Sequence, residues 1–149
     1  MKEPGMLNTA QTGALLSLAW QLSDKEPTLA QQLCQSALDG APGSAQGWLV
    51  LGLILAKQHD SKRALGALER AISLDASLLD AHMATADLRL ELGDYTGALT
   101  ALQACFALDP HMRSPNGVRA RAMAVRMQKD IAKRTSAASF GTARRSPAS

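Results

Sequence analysis

A pattern of small, large, small and turn residues recurs every 34 positions along this chain of 149 residues, and it limits the possible folds more than any other feature. Ala30, Ala64 and Ala98 stand at that spacing, as do Cys34, Leu68 and Leu102, then Ala37, Ala71 and Cys105, then Pro42, Ala76 and Pro110. Alanine fills 27 positions, so a single alanine column carries little weight; four columns of different character in one register carry much more. A unit of this length is one pair of helices, which cannot bury its apolar face alone and therefore stacks on its neighbours. The units are read as residues 11–44, 45–78 and 79–112, with a flexible segment at 1–10.

The local chemistry agrees. Small residues at Gly52, Ala64, Ala71 and Ala98 allow helix axes to approach to about 8–10 Å. Pro27 suits the first turn of a second helix, Asp60 and Asp94 suit N-caps, and Gly40, Gly43 and Pro110 suit helix ends. Aromatic residues make up only 3% of the chain, which opposes an all-β fold and leaves an all-α one. A seventh helix is expected from Ser114 as N-cap to about Arg134, a basic capping helix within residues 113–134. On it Ala120, Met123, Ala124, Met127 and Ile131 share one face, and Arg119, Arg126, Lys129 and Lys133 gather on another. Residues 135–149 are rich in Ser, Ala and Arg and are read as a disordered tail.

The formal charge of +3 divides unevenly. Residues 1–110 hold 7 Lys/Arg against 12 Asp/Glu, a net of −5, whereas residues 111–149 hold 9 against 1, a net of +8. Cys34 and Cys105 form no CxxC or Cys/His spacing, so neither a disulfide framework nor a zinc site is indicated and a reducing, cytoplasmic setting is expected. The sequence contains no apolar run of about 18 residues that would span a bilayer, and no secretory leader is read at the amino terminus.

Trp48, Leu51, Gly52 and Leu55, followed by Ala64, Leu68 and Ala71, resemble the tetratricopeptide pattern of large, small and proline positions. Gly93, Asp94 and Tyr95, then Ala98, Leu102 and Leu108-Asp109-Pro110, resemble its second half. The resemblance implies a right-handed α-α superhelix of three helix hairpins with a C-terminal capping helix. It also implies a concave partner-binding groove lined by the first helix of each hairpin. Carried onto this chain, the groove positions are Thr12, Leu15, Ala19, Leu22 and Ser23; Gln46, Leu49, Leu53, Ala56 and Lys57; and Asp80, Met83, Asp87, Leu90 and Glu91. An apolar groove with acids in its last unit suits an extended or helical segment with aliphatic anchors and a basic end. The alternative for these side chains is burial against neighbouring helices.

Members of this family that hold the carboxylate of a chaperone's tail resemble one another in carrying Lys or Arg and Asn in the groove, since an anion needs donors. Here those places hold Leu15, Leu49 and Met83, and Ala19, Leu53 and Asp87, so that binding mode is disfavoured. Leu33-Cys34, Gly52-Leu53, His82 with Leu88-Arg89-Leu90, and Val118 to Ala122 are similar to the class II chaperones of bacterial type III secretion. That similarity implies sequestration of a hydrophobic, secreted translocator protein, with Leu15, Leu49, Leu53, Met83 and Leu90 as anchors. The alternative is a general adaptor in a bacterial multiprotein assembly.

A catalytic reading finds little to use. His59, His82 and His111 show no spacing to a nucleophile or carboxylate partner, and both cysteines fall on packing positions. No phosphate-cradling glycine motif occurs. The chain is read as a non-enzyme with no cofactor and no metal. Its basic helix lacks interleaved aromatics, which disfavours nucleic acid. An exposed first repeat offers a surface for a homodimer.

Overall fold

The computed structural model describes residues 6–144, with side chains described through residue 137. Its regular structure is helical throughout: α1 (Thr9–Leu22), α2 (Pro27–Gly40), α3 (Ala45–Lys57), α4 (Ser61–Leu74), α5 (Leu79–Glu91), α6 (Tyr95–Leu108) and α7 (Pro115–Arg144). Short polar side chains set most of the starts by accepting backbone N–H bonds that a first turn leaves unmade. Asn8 caps α1 in a reciprocal box with Gln11, at 2.8 and 3.0 Å. Ser44 accepts from Gly47 N–H at 3.0 Å, Asp94 from Gly97 N–H at 2.9 Å and Ser114 from Gly117 N–H at 2.9 Å. Asp60 does the same for Arg63 at 3.3 Å, and Pro27 opens α2 without wasting a donor.

Helices α1 and α2, α3 and α4, and α5 and α6 pack as hairpins, each leaning on the next through its second helix, in a right-handed superhelical stack. The small residues sit where backbones meet. A Cβ added to Gly52 would stand 2.8 Å from Leu68 Cγ and 3.3 Å from the Ala64 carbonyl oxygen, so any larger residue there would push Leu68 out of its place between α3 and α4. Tight turns after α3 and α5 place His59 (φ 61°) and Gly93 (φ 79°), one repeat apart, in the left-handed region. Another repeat-related pair ties helix to turn: Trp48 Nε1–H donates to the Pro42 carbonyl at 3.2 Å, and His82 Nε2 lies 2.9 Å from the Ala76 carbonyl.

The apolar core is in two parts that meet at α5. Leu49, Ile54, Leu55 and Leu68 anchor the larger part, over α1 to α4. Met83, Leu102, Cys105, Ala120 and Met127 form the smaller one, between α5, α6 and α7. α7 begins beside the end of α6, where Asp109 accepts from Ser114 Oγ–H at 2.6 Å, and runs back to its start, where the Arg134 guanidinium stacks 4.7 Å from the Tyr95 ring centroid.

Two expectations about the ends need correction. The helix expected to end near Arg134, with a disordered tail from residue 135, continues to Arg144. This segment is rich in alanine, contains no proline before Pro147, and Thr135 Oγ–H bonds back to the Ile131 carbonyl at 2.9 Å, so nothing breaks the backbone ladder. At the other end, part of the segment read as flexible is tied down: Leu7 N–H donates to the Gly40 carbonyl at 3.1 Å and Asn8 is an N-cap. Residues 1–5 and 145–149 lie outside the described residues. Among the described residues no helix is long and apolar enough to cross a membrane.

Candidate functional site

α1, α3, α5 and the start of α7 lie side by side and make one face of the stack. On it, a cleft of about 470 Å³ has a floor of Leu53, Ala56, Ala84 and Leu88. Trp20 and Lys57 form one wall, and Asp87, Glu91 and Arg119 form the other. The walls are held by charge. Lys57 Nζ donates to Ser23 Oγ at 2.9 Å and Asp24 Oδ1 at 3.1 Å, and sits 4.0 Å from the Trp20 ring centroid. Arg119 Nη2 donates to Asp87 Oδ2 at 3.1 Å and so joins α7 to α5.

Burial pushes the Asp87 carboxyl above the usual carboxylate range; the Arg119 charge opposes that shift and Glu91 reinforces it. Glu91 itself makes no ion pair among the described residues. A second cleft of about 490 Å³ adjoins the first, sharing Asp87, Glu91 and Arg119 and adding Met83, Leu90, Met123 and Arg126. Together they offer a short apolar floor with polar edges.

The groove residues expected from the repeat register separate into three sets. Leu53, Ala56, Lys57, Asp87 and Glu91 come together in the first cleft, with Leu90 in the second. Thr12, Ala19, Ser23 and Leu49 are buried, and Leu15 and Leu22 pack against the core, so they support the face more than they present it; Met83 is buried too, with an edge on the second cleft. Gln46 lies elsewhere, on a cavity of about 610 Å³ at the hairpin bases with Met6, Leu7 and Pro42. Asp80 is exposed and accepts a hydrogen bond from the Asn116 side-chain amide.

The structure adds Trp20, Ala84, Leu88 and Arg119 to the expected set. Trp20 and Leu88 belong to a further 34-residue column with Ile54, all large and apolar, and that column was the available signal. The column does not share one fate, since Ile54 within it is fully buried. Arg119 gave no such signal, since only the packing of α7 brings it to Asp87. Outside this face, burial pushes the thiols of Cys34 and Cys105 up to about 11, so both are neutral packing groups near pH 7.

The fold recurs in solved structures of low sequence identity. The tetratricopeptide domain of Sgt2 from Aspergillus fumigatus superposes with a TM-score of 0.76 at 18% identity, covering 91% of this chain and 87% of that one. The first such domain of Spaghetti (RPAP3), bound to the HSP90 peptide SRMEEVD, gives 0.74 at 12% identity, covering 85% and 97%. MamA gives 0.63 at 20% identity, covering 82% and 81%. No curated protein matches the sequence. A family model described as tetratricopeptide repeat matches residues 15–78 and again 49–113. Matched by that model from residue 15 to residue 113, well over half its length, the chain belongs to the tetratricopeptide repeat family.

Proposed function

We propose that this chain is a protein-interaction module whose cleft between Trp20 and Asp87 seats a short partner segment carrying one or two aliphatic side chains and a basic residue. The supporting observation is the pairing of an apolar floor, Leu53, Ala56, Ala84 and Leu88, with Glu91 as the acid left without an ion pair at its edge. The floor gains by covering apolar area, and Glu91 selects a cation. Catalysis plays no part.

Two narrower readings are weighed by the same geometry. Neighbours with bound chaperone peptides, the RPAP3 domain with SRMEEVD and the Sti1 domain in a pHsp70 complex, hold acidic or chaperone-derived segments. In this chain Asp87 and Glu91 stand in the cleft, which argues against an acidic tail. A type III secretion chaperone that sequesters a hydrophobic translocator calls for a long aliphatic groove. With Leu49 and Met83 buried and Lys57 and Trp20 on the wall, the cleft is short and mixed, and the adaptor reading is favoured.

Phage-displayed random peptides selected on the full chain test this. The selected sequences should pair aliphatic residues with Lys or Arg, and Trp20→Ala with Leu53→Asp should weaken them by about tenfold or more. Circular dichroism checks that the variant stays folded; Leu49 is left alone because a buried aspartate there would unfold the hairpin. Equal binding to the folded variant, or preference for SRMEEVD, would sink the proposal.

A further inference from the structure

We propose that the outer face of α7 is a second interaction surface, separate from the Trp20–Asp87 cleft and meeting the second cleft only at Ala122 and Arg126, built to dock an acidic amphipathic helix of another protein. Val118, Ala122, Val125, Lys129 and Ala132 follow one another at steps of four, three, four and three residues, the spacing of a helix-pairing seam. All five are exposed, Val118 at 56% and Val125 at 45%, and they lie on the side of α7 opposite the buried Ala120 and Met127. The seam is therefore surplus to capping the last hairpin.

Its borders are cationic. Arg121 runs along one side and Lys133 along the other, with Arg126 beside Lys133 on the rim shared with the second cleft, all exposed. Among the described residues none of these three, nor Lys129 within the seam, takes part in an ion pair, whereas Arg119 and Arg134 on the inner side are already engaged. Four unneutralised cations around an apolar stripe are matched by a helix with an apolar seam and glutamate or aspartate flanks. Lys129, a single charged position inside the seam, would fix the register of the pair.

The side chains favour this occupant over others. Alanine and valine let two helix axes approach to about 8 Å, whereas helices that lie in a membrane surface present bulky Leu, Phe or Trp. No aromatic side chain interleaves the cations of this face, so the bases of a single-stranded nucleic acid have nothing there to stack on. Two copies paired through α7 would oppose like charges.

The test uses the full chain and synthetic helical peptides with Ala and Leu in the seam and either Glu or Lys on the flanks, followed by fluorescence anisotropy. The Glu peptide should bind at least about tenfold more tightly than the Lys peptide and weaken as salt is raised. Val118→Glu with Val125→Glu should remove that binding, while peptides selected on the cleft still bind this variant and fail to compete with the Glu peptide. Reversing Arg121, Arg126 and Lys133 to Glu should transfer the preference to the Lys peptide. The proposal is overturned if the two peptides bind alike, or if the Glu peptide is displaced by cleft ligands. It is equally overturned if phosphatidylserine vesicles or single-stranded RNA bind through Val118 and Val125 more tightly than the Glu peptide, or if sedimentation shows a dimer dissolved by Val125→Glu.

Discussion

The middle hairpin and α7 use helices for opposite ends. In α3 and α4, Leu49, Ile54, Leu55 and Leu68 are all but fully buried, and Gly52 brings the two backbones together. In α7, a helix of 30 residues, only Ala120 and Met127 among the described side chains reach that state, with Met123 and Ala124 half-buried beside them. In the hairpin α3 is buried along most of its length and α4 offers it a close-packed stripe; α7 packs along a sparser stripe and leaves the rest to solvent and partners. Contact density therefore separates what holds the fold from what is free to interact.

The largest expected effect falls in the middle hairpin. Leu68→Ala empties a site with 0% exposure and should cost about 2–5 kcal/mol, read as a lower denaturant midpoint for the whole chain. A change confined to α4 would show that the hairpins unfold independently. Met127→Ala should cost less, about 2 kcal/mol, and act locally. Hydrogen exchange should rise in α7 while α3 and α4 stay protected; uniform loss of protection would erase the contrast between the two regions.

Ser114→Ala removes the cap that starts α7 and should destabilise that helix by about 1 kcal/mol, again visible in exchange. His59→Gly should stabilise the middle hairpin by about 1 kcal/mol, since glycine takes the left-handed turn without a Cβ penalty. A lower thermal midpoint for that variant would mean that the imidazole makes a contact worth more than the strain.

Acid should weaken the junction where α7 joins the stack. Hydrogen bonds from Ser114, then from the neighbouring backbone, hold the Asp109 carboxyl below its usual range, and the Gly97 N–H does the same for Asp94. The folded state thus favours their ionised forms. That contribution is present above the unfolded value of about 4 and is lost as pH falls through the lowered folded values. Asp87 has the opposite sign, because burial raises it: the folded state favours its protonated form, and that advantage disappears as pH rises through the folded value. Asp109→Asn should flatten the acid side of a plot of thermal midpoint against pH, and Asp87→Asn should not. Identical profiles for the two variants would contradict these assignments.

Much of the fold is legible in the primary structure because repeat proteins write the same packing rule several times. Ala64 and Leu68 read as an interface only because Ala98 and Leu102 repeat them 34 residues later. The capping residues Asp60, Asp94 and Ser114 are equally plain, since a cap is a contact across three residues. The cleft is less legible. Leu49 and Leu53 lie one turn apart on α3 with the same chemistry, yet one is 2% exposed and the other lines the floor. A small rotation of the helix against its neighbours decides between them, and no local pattern encodes that rotation.

By itself the sequence determined the period, the hairpin count, the caps at Asp60, Asp94 and Ser114 and the division into an acidic body and a basic end, all of which depend on near neighbours or on repetition. Only the tertiary structure decided which side of each first helix faces solvent, that Trp20, Leu88 and Arg119 share a cleft, and that α7 keeps a seam exposed after covering α6. These depend on crossing angles and on where the last hairpin stops, quantities set by the sum of many weak contacts and by no single residue.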